Sequence, residues 1–163
     1  MTVRPVLKYP DARLSQPCDP VGAEDVSALI ADMFDTMYAA YGRGLAGPQI
    51  GVMTRVFVMD ATWKDGPRSP IAVLNPVIVP VGAEAEGEEA CLSVPGVSAR
   101  VIRPATIDLQ YETADRLPRR VTLTGAAARI VQHETDHLDG LLHWDRMSPG
   151  ARAALIAEYE ALT

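Results

Sequence analysis

Apolar residues recur at helical spacing in several segments of the chain. In residues 25–41 they stand three and four positions apart and form one continuous stripe: Val26, Leu29, Ile30, Met33, Phe34, Met37 and Tyr38. This pattern predicts an amphipathic helix. The same spacing predicts a second helix at Gly125–Leu138, and a last helix is expected at residues 149–162.

Strands are predicted between these helices, with Gly, Pro and charged clusters separating them. They lie at residues 55–60, 71–79, 105–111 and 119–123. The connections are mostly of hairpin length, which favours antiparallel pairing. Before the first strand, residues 42–51 hold Gly42, Gly44, Gly47, Pro48 and Gly51, a density that no helix tolerates and that predicts a tight loop.

Composition narrows the class of protein. The chain has 163 residues, of which 48% are hydrophobic and 22% charged, so we expect one compact domain over residues 1–163. A net charge of −6 argues against DNA or broad nucleic-acid binding. No apolar run is long enough for a membrane span or a signal peptide, so a cytoplasmic location is expected; an oligomeric state is not indicated.

The segment His133-Glu134-Thr135-Asp136-His137 is the strongest chemical signal. On a helix, residues four apart share one face with Cβ atoms roughly 5 to 6 Å apart, so the two imidazoles can bind one metal ion. Glu134, beside the first histidine, is placed to take a proton from a metal-activated water molecule. The pattern therefore predicts a metal hydrolase.

Two residues compete to be the third metal ligand. His143 completes a spacing that resembles the metzincin protease signature, but that site also needs a Met-turn after further structure, and Met147 follows too soon. We therefore interpret His143 as a packed or surface histidine. Cys91 is the other candidate, whereas Cys18 has no motif around it and is interpreted as a small packed hydrophobe.

Three blocks occur in a fixed order: Gly42-Arg43-Gly44-Leu45-Ala46-Gly47-Pro48-Gln49, Glu89-Ala90-Cys91-Leu92-Ser93, and Gln132-His133-Glu134-Thr135-Asp136-His137. Together they resemble the three motifs of peptide deformylases. The similarity extends to residues 6–14, 74–76 and 103–111, and so covers nearly the whole chain.

This resemblance implies an α+β fold in which antiparallel sheets surround a central helix carrying the two histidines. It implies removal of the formyl group from the N-terminal formylmethionine of nascent polypeptides. Cys91, His133 and His137 would hold one divalent ion, with Fe²⁺ expected and Zn²⁺, Ni²⁺ or Co²⁺ as alternatives. Glu134 would act as general acid and base.

Further site roles follow from the same resemblance. The Gln49 amide and the Leu92 backbone N–H would stabilise the oxyanion. Metal ligands also need surrounding groups that hold them in place, for which Asp136 and Arg103 are candidates; the alternative is an ordinary surface ion pair. The residues expected to bind the formylated peptide are Arg43, Gly44, Glu89, Ala90, Ala126 and Ile130.

Several positions depart from the family pattern. Arg43 replaces an apolar residue, Gly47 a second alanine, Ala90 a glycine and Ala126 a leucine. Arg43 can turn outward into water or line the pocket mouth and meet a polar substrate group. These departures leave two alternatives open: an amidase for another N-formyl or N-acyl amine, and a metal-holding binding protein with little turnover.

Some relatives dock to the ribosome through a basic C-terminal tail. In this chain residues 148–163 carry one Arg and two Glu. We therefore expect at most a weak, transient ribosome contact.

Overall fold

The computed structural model describes residues 2–163. Its helices and strands, in chain order, are α1 Ser27–Ala39, β1 Gly44–Ala46, β2 Val56–Met59, β3 Ile71–Cys91, β4 Val94–Glu112, β5 Pro118–Thr124, α2 Gly125–Leu138 and α3 Pro149–Ala161. Short 3-10 helices lie at Ala12–Ser15, Gly47–Ile50 and His143–Arg146.

The strands form one antiparallel sheet in the order β1-β2-β3-β4-β5. Each strand pairs with the next along the chain, as short connections favour. The long β3–β4 pairing runs from Leu74 opposite Glu112 to Cys91 opposite Val94, and its last register shift falls between Ala90 and Cys91. The expected α+β class with antiparallel strands is confirmed, with the strands joined in a single sheet.

The second helix, α2, lies at the centre of the fold. It contacts β1, β2, β4 and β5, while α1 covers β1 and β2, and α3 packs against β4. Ala128, Val131 and Leu138 of α2 are fully buried in one hydrophobic cluster with Phe57 and Ile107 of the sheet. Every residue from 131 to 138 is buried, so the helix that carries the two histidines is enclosed by the protein.

Among residues 2–163, no helix is long and apolar enough to span a membrane.

The predicted helices match the observed ones closely. The second helix has the predicted bounds, Gly125–Leu138. The first begins at Ser27 rather than at residue 25, because the Asp25 carboxylate accepts a hydrogen bond from the Ser27 backbone N–H, an arrangement typical of helix starts. It ends at Ala39, and Tyr41 beyond it has a φ of 60°, which a helix cannot continue through.

The sheet departs further from the sequence prediction. The strands predicted at 71–79 and 105–111 extend to Ile71–Cys91 and Val94–Glu112, because the Gly, Pro and Glu residues between them belong to the β3–β4 pairing. Beyond Leu74, β3 pairs only with β4, and an edge strand tolerates Pro80. The predicted loop at 42–51 instead contains β1 and a 3-10 helix.

Gly47 explains one departure from the family pattern. A Cβ atom on Gly47 would lie 2.7 Å from the carbonyl oxygen of Val52 and 2.9 Å from that of Thr54. Both are backbone atoms, so relief would require the chain itself to move. In this protein the position has no room for the second alanine of the family pattern.

We predict that Gly47→Ala lowers the free energy of unfolding by about 1 to 3 kcal/mol, because overpacking displaces the 52–54 backbone. Urea denaturation would measure the change. Gly150→Ala is the matched control, because a Cβ at Gly150 in α3 meets no atom within 4 Å and should be neutral or stabilising. Equal effects of the two substitutions would contradict the steric account.

Candidate metal centre and active site

Two elements bring a thiol and two imidazoles together. His133 and His137 lie one turn apart on α2, and Cys91 is the last residue of β3. One donor atom from each side chain lies within 4.8 Å of the others, and all three residues are buried. The Cys91 Sγ to His137 Nε2 distance is 3.4 Å.

These residues suit a single metal ion. Two ligands bound at about 2.0 to 2.3 Å to one tetrahedral ion lie roughly 3.3 to 3.8 Å apart, and the Cys91–His137 distance of 3.4 Å falls in this range. A thiolate with two neutral imidazoles is a donor set for Fe²⁺, Zn²⁺ or Ni²⁺. Cys91, His133 and His137 therefore form a buried group able to hold a divalent metal.

The Glu89 carboxylate orients the His133 ring. His133 Nδ1 donates to Glu89 Oε1 at 2.8 Å, which leaves Nε2 for a metal, the usual arrangement around metal-bound histidines. Burial alone would raise the pKa of Glu89, but hydrogen bonds from Arg103 and His133 hold it well below its usual range. Glu89 is therefore an anion when it accepts this bond.

Arg103 links both sides of the metal group. Its guanidinium donates to Glu89 at 2.6 and 2.9 Å and to Asp136 at 2.8 Å, and all three side chains are at most 7% exposed. Arg129 adds a bond to Glu89, and Arg146 adds two to Asp136. Arg103 therefore reaches the His133 ligand through Glu89, and it also binds Asp136, as expected of supporting residues.

This network changes the expectation for Glu89. It lines the cavity described below, yet both its carboxylate oxygens already accept hydrogen bonds from His133, Arg103 and Arg129. A carboxylate so fully occupied has little capacity left for a peptide. The geometry favours a positioning role for Glu89 over the substrate contact expected from the sequence.

Glu134 lies beside the metal group. Its Oε2 is 4.0 Å from His133 Nε2, and its Oε1 is buried without a hydrogen-bond donor among the described residues. A Cβ on Gly44 would lie 2.5 Å from Oε2, so glycine at this position makes room for the carboxylate. Burial raises the pKa of Glu134 to about 7, although His133 opposes the shift.

The pKa values of His133 and His137 are shifted in opposite directions. Burial would lower the pKa of His133, but Glu134, Cys91 and Glu89 together raise it well above its ordinary value. Burial and His133 lower the pKa of His137. Because metal binding requires neutral imidazole, a bound cation would displace the proton that His133 otherwise attracts.

The Gln49 amide has a defined orientation. The Ala46 backbone N–H donates to Gln49 Oε1 at 2.9 Å, so Nε2 is the end that points toward Ser93 Oγ at 3.0 Å and Cys91 Sγ at 3.8 Å. One amide hydrogen is thus engaged by Ser93. The other points toward Cys91 of the metal group.

A cavity of about 620 Å³ opens onto these groups. Gln49, Leu92 and Glu134 line it. The residues expected to bind substrate line it as well: Arg43, Gly44, Glu89, Ala90, Ala126 and Ile130. A cavity of this size accommodates a small peptide segment. The expected residues therefore meet in one place.

The departures from the family pattern have clear structural settings. The non-glycine residues with positive φ within residues 2–163 are Tyr41, Asn75 and Arg116, so Ala90 adopts no conformation that requires glycine. Arg43 lines the cavity, and its guanidinium pairs with the exposed Asp65 carboxylate at 2.9 Å. The Arg43 side chain is 39% exposed, and its contact with a substrate group stays a prediction.

His143 lies near the site but outside the ligand group. It is 1% exposed, and its Nδ1 accepts a hydrogen bond from the Trp144 N–H. Burial lowers the pKa of His143 to about 4. Of the two interpretations of this residue, a packed histidine is the one observed, and Cys18 is likewise buried.

Three contributors to the site were missed in the sequence. Ser93 holds the Gln49 amide, Arg129 supports Glu89, and Arg146 supports Asp136. Arg129 stands four residues before His133 on the same helix, so the spacing could have indicated it. Arg146 follows the helix and had no such signal.

The fold and the site together define a mononuclear metal hydrolase with a central helix bearing both histidines. The family model "Polypeptide deformylase" matches residues 3–153. Peptide deformylase 1 of Corynebacterium efficiens is 43% identical over 99% of this chain and 96% of its own length. The chain belongs to the peptide deformylase family, which confirms the resemblance seen in its three motifs.

Solved structures of family members agree in fold. A peptide deformylase of Ehrlichia chaffeensis in complex with actinonin superposes with a TM-score of 0.90 at 33% identity, covering 99% of this chain and 98% of its own. The peptide deformylase of Thermus thermophilus also gives 0.90, at 37% identity, covering 98% and 94%. The similarity therefore extends over the whole domain of these relatives.

We predict that Arg103→Met lowers the free energy of unfolding by about 3 to 5 kcal/mol, because it leaves the buried Glu89 and Asp136 carboxylates without their shared partner. Urea denaturation of the metal-loaded protein would measure the loss. Arg100→Met is the matched control on the same strand, since Arg100 is 59% exposed and forms only surface ion pairs; its effect should stay within about 0.5 kcal/mol. A similar small loss for Arg103→Met would contradict the role of the network.

Proposed function

We propose that this protein removes the formyl group from the N-terminal formylmethionine of nascent polypeptides in the cytoplasm. The observation that carries the proposal is the buried Glu134 carboxylate, which stands beside a Cys-His-His group at the base of a peptide-sized cavity. Family membership supports the same reaction.

The proposed ion is Fe²⁺, held by Cys91, His133 and His137, with Zn²⁺, Ni²⁺ and Co²⁺ as alternatives. When bound, such an ion polarises the formyl oxygen and lowers the pKa of the attacking water. Glu89, itself held by Arg103, restricts the ring of His133 before any ion arrives. This restriction favours one coordination geometry.

Glu134 is the proposed general base and acid. It takes a proton from the water that attacks the formyl carbon, and it returns that proton to the amine nitrogen as the carbon–nitrogen bond breaks. Formate and a free N-terminal amine are the products. The Glu134 pKa of about 7 suits both the uptake and the return of the proton near neutral pH.

Gln49 and Leu92 are the proposed donors to the oxyanion. The Gln49 amide is held by Ala46 and Ser93, so its remaining N–H is oriented before substrate binds. Leu92 follows Cys91 directly, and its backbone N–H is the second proposed donor. Oriented donors of this kind stabilise developing charge without reorganising during the reaction.

Gly44 and Ala90 are proposed to bind the peptide backbone, since they lie at the start of β1 and the end of β3, where both line the cavity. Ala126 and Ile130, one turn apart on α2, are proposed to border the pocket for the first side chain. The alanine at position 126 leaves more room than a leucine, and methionine is flexible enough to fill such a pocket.

The function is tested by steady-state turnover of formyl-Met-Ala-Ser by protein purified anaerobically with Fe²⁺. We expect release of formate. Release of formate only from other formylated amines would favour the amidase alternative, and tight binding of actinonin without turnover of any substrate would favour the binding protein.

We predict that Glu134→Gln retains the metal and lowers kcat by at least about 100-fold, because the amide occupies the same volume and cannot accept the proton. Metal content by emission spectrometry and formate release would be measured together. Glu158→Gln, an exposed position on α3, is the control with the same chemical change. Substantial turnover by Glu134→Gln would remove this residue from proton transfer.

We also predict that Gln49→Ala lowers kcat by roughly 100- to 1,000-fold, about 2.7 to 4 kcal/mol of transition-state stabilisation. Gln110→Ala, exposed on β4, should leave both kinetic constants unchanged. If Gln49→Ala changed KM alone, Gln49 would be a ground-state contact and not an oxyanion donor.

A further inference from the structure

Two cationic side chains with no assigned role in the chemistry lie at the wall of the cavity. Arg43 precedes β1, and Lys64 belongs to the connection between β2 and β3. They stand far apart in the chain, so their meeting at one wall is a consequence of the fold. Neither is part of the buried network around the metal group.

The connection that carries Lys64 is anchored to the segment that carries Arg43. The Trp63 indole N–H donates to the Gly42 carbonyl oxygen at 2.9 Å, and the Asp60 backbone N–H donates to the Arg43 carbonyl oxygen at 2.9 Å. Asp60 is fully buried and accepts a bond from the Tyr38 hydroxyl at 2.6 Å. Arg43 and Lys64 therefore lie on two segments that are held together by hydrogen bonds.

Their charges are weakly compensated within the protein. Arg43 pairs only with Asp65, whose side chain is 79% exposed, and Lys64 forms no ion pair among the described residues. The Lys64 ammonium lies 4.5 Å from the centre of the Tyr41 ring. Asp65 engages only Nη2 of Arg43, and the Arg43 side chain is 39% exposed, so Nη1 retains capacity for a further anion.

Several other charged side chains that line the cavity already have partners within the protein, whereas Glu134 lies beside Gly44 at the metal group. Arg129 is bound to Glu89, and Glu88 pairs with Arg100 at 3.8 Å. Lys8 donates to the Leu92 carbonyl oxygen at 3.1 Å. An incoming peptide therefore meets a local excess of positive charge beside Arg43 and Lys64.

Resting on the proposed deformylase function, we infer that Arg43 and Lys64 form a specificity determinant that favours formylated peptides bearing a carboxylate shortly after the formylated residue. Gly44 adjoins Glu134 at the reaction centre, and Arg43 is the preceding residue. Because an extended peptide advances about 3.3 Å per residue, the carboxylate of the second or third residue comes within reach of these side chains.

Asp65 competes for Arg43 but does not prevent this contact. Exposed ion pairs contribute little stability and exchange readily, so a substrate carboxylate can replace or join Asp65. We expect a preference of about fivefold in kcat/KM, the size of an exposed charge contact of about 1 kcal/mol. The preference should weaken in about 1 M salt, where the screening length is near 3 Å.

The test compares C-terminally amidated substrates that differ only in one charge: formyl-Met-Glu-Ser-amide against formyl-Met-Gln-Ser-amide, and formyl-Met-Ala-Glu-amide against formyl-Met-Ala-Gln-amide. Formyl-Met-Ala-Ser with a free and an amidated C-terminus separates a terminal carboxylate from a side-chain one. We expect a carboxylate preference in at least one pair, reduced in Arg43→Gln and Lys64→Gln and abolished in the double variant.

Two further variants sharpen the test. Asp65→Asn removes the competing anion and should enlarge the preference, whereas Arg119→Gln removes an exposed charge on β5 and should leave it unchanged. An equal rate for both members of every pair, or a preference that persists in the double variant, would overturn the inference.

A failure of the proposed function is distinguishable from a failure of this inference. The affinities of the formyl-free products Met-Glu-Ser-amide and Met-Gln-Ser-amide can be measured by calorimetry on the metal-loaded protein. Charge-dependent affinity without turnover of any formylated peptide would overturn the function and retain the basic determinant. Charge-independent affinity together with charge-independent turnover would overturn the determinant and retain the function.

Discussion

A buried ion cluster is the constraint on which the rest of this structure depends. Arg103 of β4 joins Glu89 of β3 to Asp136 of α2, and each of these side chains is buried. An isolated buried charge is costly, so the three elements have a strong preference for the single arrangement in which all partners meet. That arrangement places Cys91, two residues beyond Glu89, against the histidines on either side of Asp136. The metal group is thus positioned by charges that do not belong to it.

The same constraint explains the unusual composition of the end of β3. The Arg129 guanidinium passes close to β3 where it reaches Glu89. It donates a hydrogen bond to the Ala85 carbonyl oxygen, and a Cβ on Gly87 would lie 3.0 Å from the guanidinium. The small residue at position 87 therefore leaves room for Arg129. On the opposite face of the strand, the glutamates at alternate positions are exposed. A segment that looks like a polar loop is therefore a strand with two chemically distinct faces.

Local pattern was sufficient for the helices and for the two histidines of the metal group, whereas Cys91 was indicated by the family resemblance. Local pattern was insufficient for the sheet. The bounds of α2 could be predicted because its apolar spacing is regular and its two histidines share one face. The end of β3 could not, because Pro80, Gly82 and the glutamates have low strand propensity, and only pairing with β4 overrides it. Ser93 and Arg146 were missed for a related reason: their partners, Gln49 and Asp136, are brought near by tertiary folding, which no local spacing records.

The departures from the family pattern divide according to what their side chains touch. Gly47 is dictated by the adjacent 52–54 backbone, and Ala90 occupies an extended strand position in which a methyl group adds no backbone strain. Neither is among the metal ligands. Arg43 differs, because its backbone is held by Asp60 and its side chain stands at the cavity wall. A change there alters the electrostatic potential that a peptide meets on entry, while the buried ion cluster keeps the catalytic groups in place. Selection among substrates and the chemical step thus rest on separate sets of charges, so one can change while the other is preserved.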